Sequence, residues 1–245
     1  MYTSTLTTRL EMMSHPLEQL RYIARRWEID DDFPAQEVAA VLADLASENP
    51  VSLLQACRRL IDYFPSAGVA WWLCARALGS PEPIEGIWEA ADELSSDPTA
   101  GICAKAVPAN ATVAFPDPIP QAVRALRKRK DVQLVDRATK KADLVLLRAR
   151  AAGPDGVRVT RRSSKSRNNG SRPGVPVWAV LERGALLPGP LWEQLQARSA
   201  DDGQAEVVPL DEIGYIVTDR GPVSPAEAVS KPTCPPVAEL LGWRS

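Results

Sequence analysis

The sequence predicts an α/β protein in which a helical N-terminal region precedes a Rossmann-like, mostly parallel three-layer sheet. Two observations favour this fold. Up to about residue 100, apolar residues recur every three or four positions, as in amphipathic helices. Beyond Pro98 they form short, continuous, valine-rich runs, which are typical of buried parallel strands. The chain of 245 residues is 45% hydrophobic, enough to bury a substantial core. We therefore expect two regions, residues 1–100 and 101–245.

The first region is expected to contain five helices. Their apolar stripes lie at 17–27, 38–45, 53–64, 69–73 and 84–94. Asn49 and Pro50 are typical of a helix start, and Ser66 is placed to cap the fourth helix. Short helices separated by prolines predict a bundle or a cap on the second region.

The second region contains five predicted strands, with helices expected between some of them. The strands are 111–115, 132–135, 142–147, 175–181 and 213–218, and the helices are 118–130 and 188–198. Strand–helix–strand alternation implies a parallel sheet covered by helices. The turn after the first strand reads FPDPIP, and its prolines remove backbone donors that a phosphate-binding loop needs. Because GxGxxG is also absent, we predict no dinucleotide cofactor.

Several classes of protein are excluded by composition. No run approaches the roughly 18 apolar residues of a membrane span, and the first 15 residues lack the apolar core of a signal peptide, so we expect a cytoplasmic protein. Four scattered cysteines without CxxC, and a single histidine, predict neither a disulfide framework nor a metal site.

The charge is divided unevenly along the chain. Residues 1–100 carry 7 basic and 16 acidic side chains, whereas residues 101–245 carry 22 and 15. Residues 121–172 alone contain 16 basic and 4 acidic side chains, a composition that attracts phosphates and other polyanions. The alternative is a solvated basic surface that docks on the acidic half.

The most basic stretch is residues 160–174, TRRSSKSRNNGSRPG, which we expect to be a mobile loop because it has little apolar content. Its cations include Arg161, Arg162 and Lys165. The loop could clamp a phosphate, contact RNA, carry regulatory phosphorylation or simply be solvated. It contains no aromatic residue, which argues against base stacking.

The closing half of the chain resembles a known family. The motifs are ADLVLL followed by a GPDG turn, then VPVWAVLERG, then EVVPLDEIGYIVTDRGPVSPAEA. In this order they are similar to the family containing the regulatory subunits of translation initiation factor 2B and methylthioribose-1-phosphate isomerase. The resemblance implies a helical N-terminal region, a Rossmann-like domain and a homodimer formed through that domain.

The chain departs from this family at the catalytic positions. The isomerases use a cysteine after an early strand, where this chain has Phe115, Pro116 and Asp117. They also use the aspartate of a GAD sequence, and the matching residues here are Arg148, Ala149 and Arg150. A guanidinium cannot serve as the acid–base group in place of a carboxylate.

The resemblance and its departures favour binding over catalysis. We expect a non-catalytic protein that binds a phosphorylated metabolite or a protein partner. Two alternatives stay open: an isomerase-type enzyme with Asp117 or Asp219 as base, and an RNA or ribosome contact through 121–172. Because the carboxyl ends of parallel strands meet at one edge of a sheet, one anion site is predicted there, unless the TDRG sequence merely caps its turn. Its residues are Asp117, Arg148, Arg150, Arg161, Arg162, Lys165, Thr218, Asp219 and Arg220.

Overall fold

The computed structural model describes residues 16–30, 33–136, 141–170, 174–200, 203 and 205–243. The five predicted N-terminal helices are present. They are α1 Pro16–Asp30, α2 Ala35–Glu48, α3 Pro50–Tyr63, α4 Gly68–Gly79 and α5 Pro83–Ser95. Asn49 caps α3 as predicted, because its side chain accepts a hydrogen bond from the Ser52 amide at 2.8 Å. The prediction for Ser66 is wrong: α4 begins after Ala67 and has no side-chain cap.

The predicted parallel sheet is confirmed. Its strands are β1 Thr112–Ala114, β2 Gln133–Val135, β3 Leu144–Ala149, β6 Val177–Leu181, β8 Tyr215–Thr218 and β9 Gly221–Val223. They lie in the order β2-β1-β3-β6-β8-β9, and all neighbours are parallel except β8 and β9, which form an antiparallel hairpin. The order reverses between β1 and β3, where sheets of this kind open a crevice at the carboxyl ends of their strands.

A second, three-stranded antiparallel sheet was not predicted. Strands β4 Ala151–Gly153, β5 Gly156–Thr160 and β7 Ala205–Pro209 pair in the order β4-β5-β7. The GPDG sequence is the turn between β4 and β5. Gly153 has no room for a side chain, since a Cβ there would lie 2.2 Å from the indole of Trp192. This close contact packs α9, Gly189–Arg198, against the hairpin.

The prediction that residues 160–174 form a loop is wrong for residues 161–170, which form helix α8, Arg161–Gly170. Residues 171–173 lie outside the described part. The hydroxyl of Thr160 accepts a hydrogen bond from the Ser163 amide and caps the helix. Ser163 and Ser164 are fully buried, and the helix packs against β3, β5 and β7. Small polar side chains therefore make the buried face of a helix that has almost no apolar residues.

Three more helices complete the two covering layers. Helices α6 Thr99–Ala106 and α7 Pro120–Arg127 pack on one face of the large sheet, while α8 and α10 Pro225–Ser230 cover the other. Helix α6 crosses the predicted end of the helical region at residue 100 and was not predicted. None of the helices described could cross a membrane.

The hydrophobic core of the helical region includes residues from the end of the chain. Besides α1 to α5, it contains Leu191 and Trp192 of α9, and Cys234, Val237 and Leu240 of the C-terminal segment. A boundary at residue 100 therefore stays a prediction, because the two regions share this core.

Candidate functional site

The helical region docks on the edge of the large sheet where β3, β6 and β8 end. The backbone amide of Gly68, the first residue of α4, donates a 2.8 Å hydrogen bond to the carbonyl of Arg150. A Cβ on Gly68 would lie 2.8 Å from the carbonyl oxygen of Ala185, so only glycine allows this approach. The helix start is therefore fixed against the strand ends.

A first cleft of about 350 Å³ lies between this edge and the helices. On the helical side it is lined by the first turn of α2, the start of α4 and the end of α5. On the sheet side it is lined by the last residues of β3 and by residues that follow β3 and β6. Its charged and amide side chains are Gln36, Glu37, Asp97, Gln121, Arg148, Arg150, Glu182 and Arg183.

Both carboxylates that follow β6 and β8 are bound by arginines. Glu182 accepts hydrogen bonds from Nε and Nη2 of Arg148 at 3.2 and 3.1 Å, and the side chain of Arg148 is only 5% exposed. Asp219 accepts from Nε and Nη2 of Arg183 at 3.2 and 2.9 Å. In each pair the carboxylate oxygen that contacts the arginine, Oε2 of Glu182 and Oδ2 of Asp219, already accepts hydrogen bonds from the guanidinium and is not positioned to take a proton from a ligand.

Arg183 connects the helical region to the TDRG corner. Its amide donates to Oδ2 of Asp97 at 2.8 Å, and its Nη1 donates to the carbonyl of Glu93 at 3.3 Å. Asp97 also accepts from the amide of Thr99 at the start of α6. Arg183 therefore joins the end of α5 to the end of β8.

A second cleft of about 300 Å³ lies on the other side of Glu182 and Arg183, and its lining includes Thr218, Asp219 and Arg220. The hydroxyl of Thr218 donates to the carbonyl of Gly221 and accepts from the amide of Arg220, both at 3.2 Å. This hydroxyl closes the turn between β8 and β9. Asp219 instead reaches Arg183, so the corner is both a turn and an anchor for β6.

The predicted site residues fall into separate places. Arg148 and Arg150 line the first cleft, and Thr218, Asp219 and Arg220 line the second. Three cations lie on α8 and are exposed, and none of them lines either cleft: Arg161, Arg162 and Lys165. Asp117 lines neither cleft; its Oδ2 is buried and has no hydrogen-bond partner among the described residues.

Three residues that organise the clefts were not predicted from the sequence: Asp97, Glu182 and Arg183. A signal was present, because Glu182 and Arg183 follow a predicted strand at the same edge as Thr218 and Asp219. The rule that placed TDRG at this edge applies equally to LERG.

The cysteines do not form a reactive centre. All four are buried free thiols, and burial raises the pKa of both Cys103 and Cys234 to about 12. Within the described ranges, no group of three histidine, cysteine or acidic side chains could bind a metal ion. The available chemistry is that of guanidinium, carboxylate and amide groups.

The fold and the cleft define a class: an α/β protein with a ligand-sized cleft at the carboxyl ends of parallel strands, covered by a helical region. Within this class, the chain is similar to a subunit in the tetrameric eIF2B-beta2-delta2 complex from C. thermophilum. The identity is 17%, over 94% of this chain and 97% of that chain, with a TM-score of 0.69. It is also similar to translation initiation factor eIF-2B of Pyrococcus horikoshii, with 15% identity over 87% and 98% of the two chains and a TM-score of 0.65.

An enzyme shares the fold as well. The 5-methylthioribose 1-phosphate isomerase of Pyrococcus horikoshii is 14% identical over 89% of this chain and 87% of that chain, with a TM-score of 0.53. No protein-family model and no curated protein matches the chain. The resemblance predicted from the sequence is therefore confirmed at the level of fold.

Proposed function

We propose that this chain is a non-catalytic, initiation-factor-2B-like protein that binds a small phosphorylated metabolite in the first cleft and acts in the cytoplasm. The observation that carries the proposal is the pairing of Glu182 with Arg148 and of Asp219 with Arg183. In both pairs an oxygen that could take a proton from a substrate is already hydrogen-bonded to an arginine, and Arg150 adds a further guanidinium to the first cleft.

The chemistry of the first cleft favours an anion. Arg148, Arg150 and Arg183 line it on the sheet side. Residues at the starts of α2 and α4 line it on the helical side, and the backbone dipoles at helix N-termini attract negative charge. Glu37, which also lines the cleft, is bound to Arg26. A phosphate group on a small polar molecule fits these features.

The test is a thermal-shift screen with sugar phosphates and nucleoside monophosphates. A ligand at about a hundred times its dissociation constant should stabilise the fold by about 2.7 kcal/mol. Arg150→Gln should abolish the shift, whereas Arg161→Gln, on the exposed side of α8, should retain it. A screen in which no phosphorylated compound raises the unfolding temperature would contradict metabolite binding and favour a protein partner.

We also propose that the protein lacks methylthioribose-1-phosphate isomerase activity. Arg150 occupies the position of the aspartate expected from the resemblance, and Asp117 lies outside both clefts. Incubation of purified protein with the substrate should give no product above the background without protein. Turnover that disappears in Asp117→Asn would establish the alternative, an isomerase-type enzyme with a rearranged site.

We also propose that the protein forms a homodimer through the sheet domain. Trp178 and Tyr215 lie side by side on β6 and β8 with ring centroids 5.6 Å apart, and Tyr215 is 47% exposed. Exposed aromatic side chains of this kind are common at protein interfaces. Light scattering at micromolar concentration should give twice the mass of the chain, and Tyr215→Ser should shift it toward the monomer. A monomeric wild-type protein would exclude this proposal.

A further inference from the structure

We propose that the outer surface of α6 and α7 binds the phosphodiester backbone of a nucleic acid without sequence preference. The surface consists of five exposed cationic side chains, which we call the basic face: Lys105, Arg124, Arg127, Lys128 and Lys130. It is separate from both clefts, which none of these residues lines.

Two half-buried hydrogen bonds fix the geometry of the basic face. The guanidinium of Arg129 donates to the carbonyls of Ala104 and Val107 at the end of α6, at 2.9 and 2.5 Å. This contact fastens the segment after α7 to the end of α6. Lys128 and Lys130 flank Arg129 in the chain, so their backbone lies beside the last turn of α6, which carries Lys105.

The cations of the basic face have no acidic partner among the described residues. Asp131 follows directly, but both of its oxygens accept hydrogen bonds from Arg129. The hydrogen bonds from Arg129 are the main cause of the lowered pKa of Asp131. The carboxylate is therefore committed to Arg129 and leaves the neighbouring charges uncompensated.

Repulsion within the face points to an external anion. Arg124 and Lys128 are four residues apart, which places them side by side on the helical surface, where like charges destabilise the helix. Arg124 and Arg127 are three apart and also neighbours. Their position near the carboxyl end of α7 offsets part of this cost through the helix dipole. A phosphate backbone would neutralise the whole row.

The surroundings favour a nucleic acid over a membrane or a protein. The large apolar side chains that are exposed in the described residues lie elsewhere, at Val51, Tyr63, Ile84, Trp88 and Tyr215. Helices that bind membranes present an apolar face, and protein interfaces centre on buried aromatic or apolar anchors. With no exposed aromatic residue on α6 or α7, bases cannot stack there, so binding should be insensitive to sequence.

The test uses two variants that each remove three cations. One is Arg124→Gln/Arg127→Gln/Lys128→Gln, and the matched control is Arg161→Gln/Arg162→Gln/Lys165→Gln on α8. The probes are fluorescent single-stranded RNA and DNA oligonucleotides of about 20 nucleotides and mixed sequence, and a polyglutamate peptide. Anisotropy is measured from 50 to 200 mM salt, because phosphate contacts make affinity depend on salt with a slope of about −0.7 per contact for single strands.

Wild-type protein should bind the oligonucleotides with a dissociation constant on the order of 10⁻⁴ to 10⁻⁶ M near physiological salt. The α7 variant should lose about two units of logarithmic salt slope, at about 0.7 per contact, and the α8 control should keep the wild-type slope. RNA and DNA binding alike would support backbone recognition, and a preference for one would identify the source of the phosphates.

Three results would overturn the proposal. They are no binding at 50 mM salt, an equal loss in both variants, and equally tight binding of polyglutamate that depends on the same residues. The mutated side chains are exposed and their positive charges are not needed for folding, so both variants should melt at or above the wild-type temperature. If the α7 variant melts at a lower temperature, the single substitutions Arg124→Gln and Arg127→Gln take its place, and each should reduce the salt slope by about 0.7.

Discussion

The ion pair between Arg148 and Glu182 joins two neighbouring strands at the edge of the sheet. Arg148 belongs to β3 and is nearly fully buried, and Glu182 directly follows β6. Removing one partner of a buried pair leaves the other charge without its counter-ion, which costs about 3–5 kcal/mol when both are fully buried. Glu182 remains 30% exposed, so the cost here should be smaller.

We therefore predict that Glu182→Gln lowers the free energy of unfolding by about 2 kcal/mol. Urea unfolding followed by circular dichroism measures this change. Glu206→Gln removes an exposed carboxylate on β7 and should change stability by less than about 0.5 kcal/mol. Equal effects of the two substitutions would show that the pair with Arg148 contributes nothing.

Because the thiol of Cys103 on α6 is buried, we predict that the folded protein loses stability at alkaline pH. Burial raises the pKa of its thiol from the ordinary 9.0 to about 12. The folded state therefore retains the proton at pH values where the unfolded chain loses it. The contribution of this thiol is complete below about pH 9 and falls as pH rises to about 12.

In this pH range, Cys103→Ala should make the dependence of unfolding free energy on pH shallower by up to about 1.4 kcal/mol per unit. Chemical unfolding at a series of pH values gives the two curves. Below pH 8.5 the curves should run parallel. Parallel curves up to pH 12 would mean that the thiol of Cys103 ionises equally in both states.

Helix α8 carries cations at its N-terminus, where the helix dipole disfavours them. Thr160→Ala removes the side-chain cap and should destabilise the protein by about 1 kcal/mol. Arg161→Asp places an anion in the first turn and should stabilise it by about 0.3–1 kcal/mol. Thermal unfolding should shift in opposite directions. Shifts of the same sign would contradict the assignment of this helix start.

The contrast between the strands and α8 shows what the sequence reveals about single elements. Strands such as Leu144–Ala149 were predictable because burial on both faces requires continuous apolar runs, and the sequence displays them directly. Helix α8 buries Ser163 and Ser164 instead, so its sequence has no periodic apolar pattern from which a helix could be predicted. The β4–β5 hairpin was visible only as its turn, because β4 is Ala-Ala-Gly and lacks the β-branched and aromatic side chains that are typical of strands.

The candidate site was predictable only in part for a related reason. Strand ends could be located, which placed Arg148, Arg150, Thr218 and Asp219 at one edge. The pairing of Asp219 with Arg183 joins residues 36 positions apart, and the contact with Asp97 joins residues 86 apart. Such contacts depend on how strands are ordered and helices docked, and local sequence does not encode that order.

At the scale of the whole molecule, the C-terminal segment ties the two regions together. The ring of Trp243 lies 3.6 Å from the guanidinium of Arg198 on α9 and 5.6 Å from that of Arg58 on α3. Its carbonyl accepts a hydrogen bond from Arg198, and its ring contacts Trp71 at 5.7 Å between centroids. The segment therefore packs on both the helical region and α9.

We predict that Trp243→Ala lowers the free energy of unfolding by about 2 kcal/mol, less than the 3–5 kcal/mol of a fully buried tryptophan. Trp88→Ala on α5, where the side chain is 39% exposed, should cost less than about 0.5 kcal/mol. Circular dichroism during heating measures both, and the Trp243 variant should still melt in a single transition. Two transitions would indicate that the regions fold independently.

The shared core also determines when the helical region can finish folding during synthesis. A ribosome synthesises helices α1 to α5 first, yet Trp192, Cys234, Val237 and Leu240, which complete their core, come 97 or more residues after α5 ends at Ser95. Until those residues emerge, the nascent helices expose the part of their core that the C-terminal residues later cover, including the ring of Trp71 that contacts Trp243. The newly made helical region therefore stays partly folded, with apolar surface open to chaperones, until the segment that contains Cys234, Val237 and Leu240 packs on it.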